Sequence, residues 1–298
     1  MSGGVATASP APAAADGWEA PGRSSGLLDV VRRRYLLRLL VRKELRVRYR
    51  ASVLGLAWSY VKPAVQYVVY FLALGVFLQL NGSIEGYPVY LFSGLVVVNF
   101  FSEAFANATR AVVGNAPLIK KIFLPRELFP VASVWVAGVH FVPQLVVLLI
   151  GAVVAGWRPL PVPLLAAVVA TLIVVALATG LGLLFGSLNV LYRDLENVVD
   201  LLLMVVVWVS PVLYPWQRVA EVLGGGSPLL ALYQANPVTI AVELYHWAFW
   251  WPGTSRDASV LPSGLLWHAG LGLLVAAVVL AVGQVVFRRV EGRFAQEL

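Results

Sequence analysis

Between Leu27 and Tyr49 apolar and basic residues are interleaved; beyond Leu54 they separate, and long apolar runs begin. Arg34, Arg38 and Arg42 recur every four residues and make one stripe of a helix. Leu28, Val31, Tyr35 and Leu39 make a second at spacings of three and four. The pattern predicts an amphipathic helix over 27–49 that lies in a membrane interface, its arginines at headgroup phosphates and its leucines below them. The stretch Arg46 to Pro63 then leads from surface to bilayer, and no charged residue occurs from Ala64 to Leu80.

Runs of this length can each cross a hydrocarbon core of roughly 30 Å at ~1.5 Å per residue. Spans are predicted over about 54–80, 87–108, 128–156, 162–190, 198–214 and 264–287. Lys62 can snorkel at the start of the first span, and Pro63 suits an early helical turn. Pro143 predicts a kink in the third. The links NGSIEG and WRPLPVP are turns, and the connector after the second span carries Arg110, Lys120, Lys121 and Arg126. Within it Asn115 is a good N-cap, Pro117 fits the first turn, and Pro125 halts a short helix over about 115–123 after about two turns.

The apolar run Leu229–Trp251 is long enough to cross, but Asn236-Pro237 divides it into pieces too short to span. Charge decides how it lies. If the run re-enters without crossing, six spans and a cytoplasmic N-terminus put 19 of the 22 Lys and Arg residues inside and leave Arg158, Arg218 and Arg256 outside. The expectation is an all-α polytopic membrane protein: six transmembrane helices, an amphipathic interface helix and a re-entrant outer hairpin at about 229–251. Residues 26–298 form one transmembrane domain behind a tail over 1–25. That tail is rich in Ala, Gly, Pro and Ser, lacks a signal-peptide core and is expected to be disordered.

Composition agrees. The chain is 60% hydrophobic and 12% charged, with a mean hydropathy of +0.82. The net charge of +7 is concentrated beside apolar runs, so it orients the chain in an anionic membrane and does not point to nucleic acid. Without cysteine there are no disulfides or thiolate metal sites.

Signals for catalysis are sparse. His140, His246 and His268 are scattered without metal-binding spacing, and no lysine follows a glycine as a phosphate-binding loop requires. ATP, if it drives this protein, is bound with Mg by another chain. His140 and Gln144 share a helical face and suit interhelical hydrogen bonds. Glu103 and Asp200 belong to predicted spans, where a carboxylate costs about 2.5–3.5 kcal/mol and so faces protein or water. Tyr60, Tyr67, Tyr70, Phe71 and Phe77 fall mainly along one side of the first span, with Trp208 in the fifth. Flat rings with polar edges suit sliding contact with sugars, or equally an interfacial belt and helix packing.

Five segments in order carry a resemblance: RKELRVRYRASVLGLAWSYVKP, NAPLIKKIFLPRELFPVAS, LNVLYRDLENVV, ANP and FRRVEGRFAQEL. Together they resemble the permease subunits of bacterial polysaccharide ABC exporters, the group that includes teichoic-acid, capsule and O-antigen transporters. The resemblance implies a homodimer assembled with two copies of a separate ATPase, moving a lipid-linked glycan across the cytoplasmic membrane between protomers. It implies ATPase contacts at Arg34, Arg38, Arg42, Asn115, Pro117, Lys120 and Lys121, with a second contact at Arg193 and Asp194. The outer hairpin around Tyr233, Asn236 and Pro237 would be an extracytoplasmic gate, and the six aromatics named above would line the glycan channel. A proton-coupled secondary transporter and a membrane-embedded glycan-modifying transferase are the other readings. No internal repeat favours the first and no catalytic constellation the second.

Overall fold

The computed structural model describes residues 26–50, 52–53, 55–121, 124–255, 257 and 260–298. The tail over 1–25, the last two residues of the expected helix at 115–123, and Arg256 lie outside them. Among the described residues the chain is helical, without a strand.

The interface element is two helices where the pattern predicts one. α1 (Leu27–Arg32) and α2 (Arg34–Arg48) meet at Arg33, whose ψ of 36° interrupts the helix. Arg34, Arg38 and Arg42 are exposed, and so are Leu28, Val31, Tyr35 and Leu39. A third face does the packing: Val30 and Leu40 are buried against Leu128, Phe129 and Ala132 of the third long helix. The exposed apolar stripe is therefore free to meet lipid, as an interfacial helix requires.

Among the described residues five helical segments are long and apolar enough to cross a membrane: Gly55–Phe77, Tyr87–Gly114, Leu128–Val154, Pro161–Leu191 and Leu265–Arg293. In the first, a 3-10 turn (Gly55–Ala57) opens α3 (Trp58–Tyr70), and a π-helical stretch (Phe71–Phe77) extends it. Pro63 lies inside α3, beyond the early turn expected for it, because the helical path already begins at Gly55. A short α4 (Leu80–Ser83) turns the chain into α5 (Tyr87–Gly114), and α6 (Ala116–Ile119) follows directly. α7 (Leu128–Val154) continues through Pro143, and α8 (Pro161–Leu191) begins with the prolines of the WRPLPVP turn. α9 (Leu195–Val209), expected as the fifth span, is 15 residues long. At ~1.5 Å per residue its helix alone falls short of a bilayer core.

The 210–264 segment is broken into α10 (Trp216–Leu223), α11 (Pro228–Ala235) and α12 (Pro237–Tyr245). π-helical (His246–Trp250) and 3-10 (Trp251–Gly253) turns prolong α12. The break falls at Asn236-Pro237, as the sequence predicts. Asn236 is the N-cap, its Oδ1 accepting from the Val238 N–H at 3.0 Å, and Pro237 opens the next helix. α13 (Leu265–Val290) and α14 (Phe294–Glu297) end the chain.

Small residues set the core. A Cβ on Gly283 of α13 would meet the Gly180 carbonyl oxygen of α8 at 2.1 Å, and one on Gly182 would meet the Ala108 Cβ of α5 at 2.4 Å. Backbones this close gain dispersion contacts, which hold helices together where lipid tails are as apolar as leucine. α12 packs into this α5–α8–α13 body with eight of its nine residues buried. α3, by contrast, has no buried residue.

Candidate functional site

The residues expected to meet a partner gather at one end of the bundle. Arg34, Arg38, Arg42, Pro117, Lys120, Lys121, Arg193 and Asp194 are all exposed there. Ile119 packs with both the α1–α7 cluster and the cluster of Val112, Val190 and Phe287, which draws α6 between the interface helices and the chain terminus. Arg126 adds a tie: it donates to the Glu291 carbonyl and lies 5.5 Å over the Phe294 ring. Asn115 occupies the N-cap position of α6, but its side chain makes no cap bond. Its amide donates to the Ala111 carbonyl at 2.9 Å and its Oδ1 accepts from Lys43 of α2. α6 is a single turn, half the expected length, before the residues outside the description intervene.

From this end two polar networks reach into the bundle. In the first, Glu103 Oε1 of α5 accepts from Arg48 at 2.6 Å, from His140 Nδ1 of α7 at 2.6 Å and from Asn107 at 3.4 Å. His140 Nε2 is 2.8 Å from the Tyr49 hydroxyl, which is also hydrogen-bonded to Ser59 of α3. Three elements therefore meet at one carboxylate, the end of α2 and the middles of α5 and α7, and the start of α3 joins them through Tyr49. Glu103, expected to face protein or water, does so through these partners, and His140 makes the interhelical bonds expected of it. Gln144 instead donates to the His140 carbonyl of its own helix at 3.3 Å. In the second network Arg110 of α5 donates to both Asp200 carboxylate oxygens at 2.6 Å and to Glu196 at 3.3 Å, while Asn189 holds the other Glu196 oxygen at 2.9 Å. Arg110 and Asp200 are 39% and 55% exposed, so this pair fixes geometry more than it stabilises.

The aromatics divide. Tyr67 turns into the bundle: its hydroxyl donates to the Pro88 carbonyl at 3.3 Å and its ring meets Phe71 and Phe92. Phe71 stacks on Tyr87, and Tyr70 packs against the same core. Tyr60 and Tyr67 line an apolar groove of about 480 Å³ between α3, α5 and α7. Phe77 and Trp208 are the exposed ones, at 78% and 56%. In α11, Tyr233 has a buried hydroxyl without a hydrogen-bond partner among the described residues, and it lines a small cavity with Thr239 and Glu243.

Sequence reasoning singled out Glu103 and His140 separately and missed that they are partners; it missed Arg48, Tyr49 and Ser59 as their connections, and Lys43 as the partner of Asn115. A polar residue in an apolar span was the available signal, but separations of 37 and 55 residues leave no local spacing to read.

The O-antigen export system permease protein RfbA of Myxococcus xanthus is 31% identical over 218 residues, 73% of this chain and 81% of the relative. The protein of that name from Klebsiella pneumoniae is 29% identical over 193 residues, 62% of this chain and 71% of the relative. Residues 35–250, from α2 to the π-helical turn that prolongs α12, match the ABC-2 type transporter family, and the chain belongs to that family of membrane permeases.

Proposed function

We propose that this protein is the membrane subunit of an ATP-driven exporter that moves a lipid-linked polysaccharide or related envelope glycan across the cytoplasmic membrane. The ABC-2 family is one of ATPase-driven permeases, and both relatives carry O-antigen export in their names. Two copies of the chain would pair with two copies of a separate ATPase, which binds ATP and Mg. The observation that carries this reading is the exposed basic surface of α2 and of Lys120 and Lys121 after α6, joined to α3, α5 and α7 through Arg48, Glu103, His140 and Tyr49. A push on that surface has a polar path to the first three spans.

Six crossings and cytoplasmic termini belong to the same proposal. The segment from Leu195 to Tyr214 touches α5 at Arg110 and again at Tyr90, whose hydroxyl donates to the Pro211 and Tyr214 carbonyls. Those contacts are twenty helical residues apart, about 30 Å, which supports a crossing although the helix itself is short. Re-entry of the hairpin is supported by its closed base: the Val260 carbonyl accepts from Trp216 Nε1 at 2.9 Å and from Gln217 at 2.5 Å. Chain ends held together leave and return on one side. Trp250 and Ser255 then tie the hairpin to Glu85 in the α4–α5 turn, far from the basic end.

For the channel, exposed Phe77 and Trp208 are the better candidates of the six aromatics, while Tyr67 and Phe71 serve the packing of α3. Arg193 and Asp194 form the second ATPase contact, and Tyr233, Asn236 and Pro237 belong to the outer gate. Co-purification with a separate ABC-type ATPase subunit tests the assignment. Lys120→Glu with Lys121→Glu is expected to weaken assembly and cargo-stimulated ATP hydrolysis; unchanged assembly and transport would remove α6 from the contact.

A further inference from the structure

Glu243 of α12 and His246 of the π-helical turn lie one turn apart, and both are buried. Glu243 Oε2 is 3.6 Å from His246 Nδ1. Among the described residues neither ring nitrogen of His246 has a hydrogen-bond partner, and neither has Glu243 Oε1. The cavity that Glu243 lines with Tyr233 and Thr239 is about 10 Å³, room for one water at most, so the carboxylate has no hydration shell. A carboxylate buried in this way needs an opposite charge beside it.

Among the described residues no lysine or arginine is placed to supply that charge. α8, which packs on α12, holds no titratable residue at all. α5 brings Tyr87 and Tyr90, and α11 brings Tyr233. α13 brings His268, whose Nδ1 donates to the Gly264 carbonyl at 3.0 Å. Tyr245 of α12 itself is hydrogen-bonded to Thr171. Arg110 of α5 and Arg288 of α13 lie about 30 Å along their helices from Tyr90 and His268. Arg218 of α10 is exposed and paired with Glu221, and Glu85 is held by Ser255.

We propose that Glu243 and His246 form a proton-binding site, holding between them one proton taken from solvent. With that proton the pair is neutral overall, an imidazolium beside a carboxylate. Without it one negative charge is buried, and with a second proton one positive charge. The Tyr90 ring stacks on the His246 ring at 3.9 Å and 19°, and its π face favours a cationic imidazole. The Tyr90 hydroxyl in turn donates to the Pro211 and Tyr214 carbonyls. The proton therefore sits where α12 meets α5 and the chain that leaves α9, and it ties the three together. Nothing in this site depends on the cargo or on an ATPase.

Thermal unfolding of the purified full chain in detergent, followed from about pH 6 to about pH 9, tests this. The folded pair keeps a proton that the unfolded chain gives up as the medium turns alkaline, so stability falls as pH rises. His246→Arg puts a fixed cation beside Glu243, and Glu243→Gln removes the charge that needs one. Over that range the wild type should lose about 5 °C of melting temperature relative to either variant. Glu243→Gln nearly preserves the shape of the side chain and serves if the arginine variant does not fold. A wild-type profile parallel to that of a folded variant overturns the proposal. Alkaline stabilisation by sodium ions in the wild type, absent from Glu243→Gln, would put a metal ion in the proton's place and overturn it as well.

Discussion

His140 Nδ1 and Glu103 Oε1 stand 2.6 Å apart across α7 and α5, and the same carboxylate oxygen holds Arg48 at the end of the interface helix. Glu103 is thereby not a stray charge. It is the fixed point on which the surface helix and two spans converge. A carboxylate in a span costs a few kcal/mol by itself, and here two donors of high polarity offset that cost.

A double-mutant cycle measures this joint. Arg48→Ala and Glu103→Ala are each expected to lower thermal stability, and the double variant to lose less than their sum. The coupling energy should be about 1–3 kcal/mol. Additive losses would mean that the two side chains are neighbours without being partners.

The α8–α13 contact predicts a sharp contrast between glycines. Gly283→Leu drives a side chain into the Gly180 carbonyl and should abolish folded yield or cost more than about 4 kcal/mol. Gly270→Ala, in the same helix but with nothing within 4 Å, should fold normally. Detergent-solubilised yield and melting temperature read both.

The natural chain has no cysteine, so single introduced thiols report topology without background. Gly225→Cys, in the α10–α11 turn, should react with an impermeant maleimide from outside intact cells. Lys121→Cys should react only after permeabilisation. The reverse pattern would invert the hairpin and, with it, the side on which the ATPase sits.

Much of this architecture was legible before any coordinates. Apolar runs of about twenty residues mark spans because bilayer thickness imposes their length. Asn236-Pro237 marked the hairpin break because proline cannot continue a helix from the residue before it without strain. What the sequence concealed depends on tertiary contact. The stripe of Leu28, Val31, Tyr35 and Leu39 is as apolar as the face that packs on α7, so periodicity could not tell lipid from protein as its partner. Asn115 reads as an N-cap by residue type, yet Lys43 and the Ala111 carbonyl engage its side chain. Tyr67 reads as a channel aromatic by position along α3, and only the Pro88 carbonyl across the bundle reveals that it faces inward.

The central claim, that this chain moves a glycan polymer with ATP hydrolysed on a partner, is tested most directly by transport in proteoliposomes. The complex with its ATPase, loaded with lipid-linked polysaccharide, should translocate cargo on addition of ATP and Mg, and the chain alone should neither hydrolyse ATP nor move cargo. Translocation by the chain alone under a proton gradient, or ATP hydrolysis without the partner, would contradict the account.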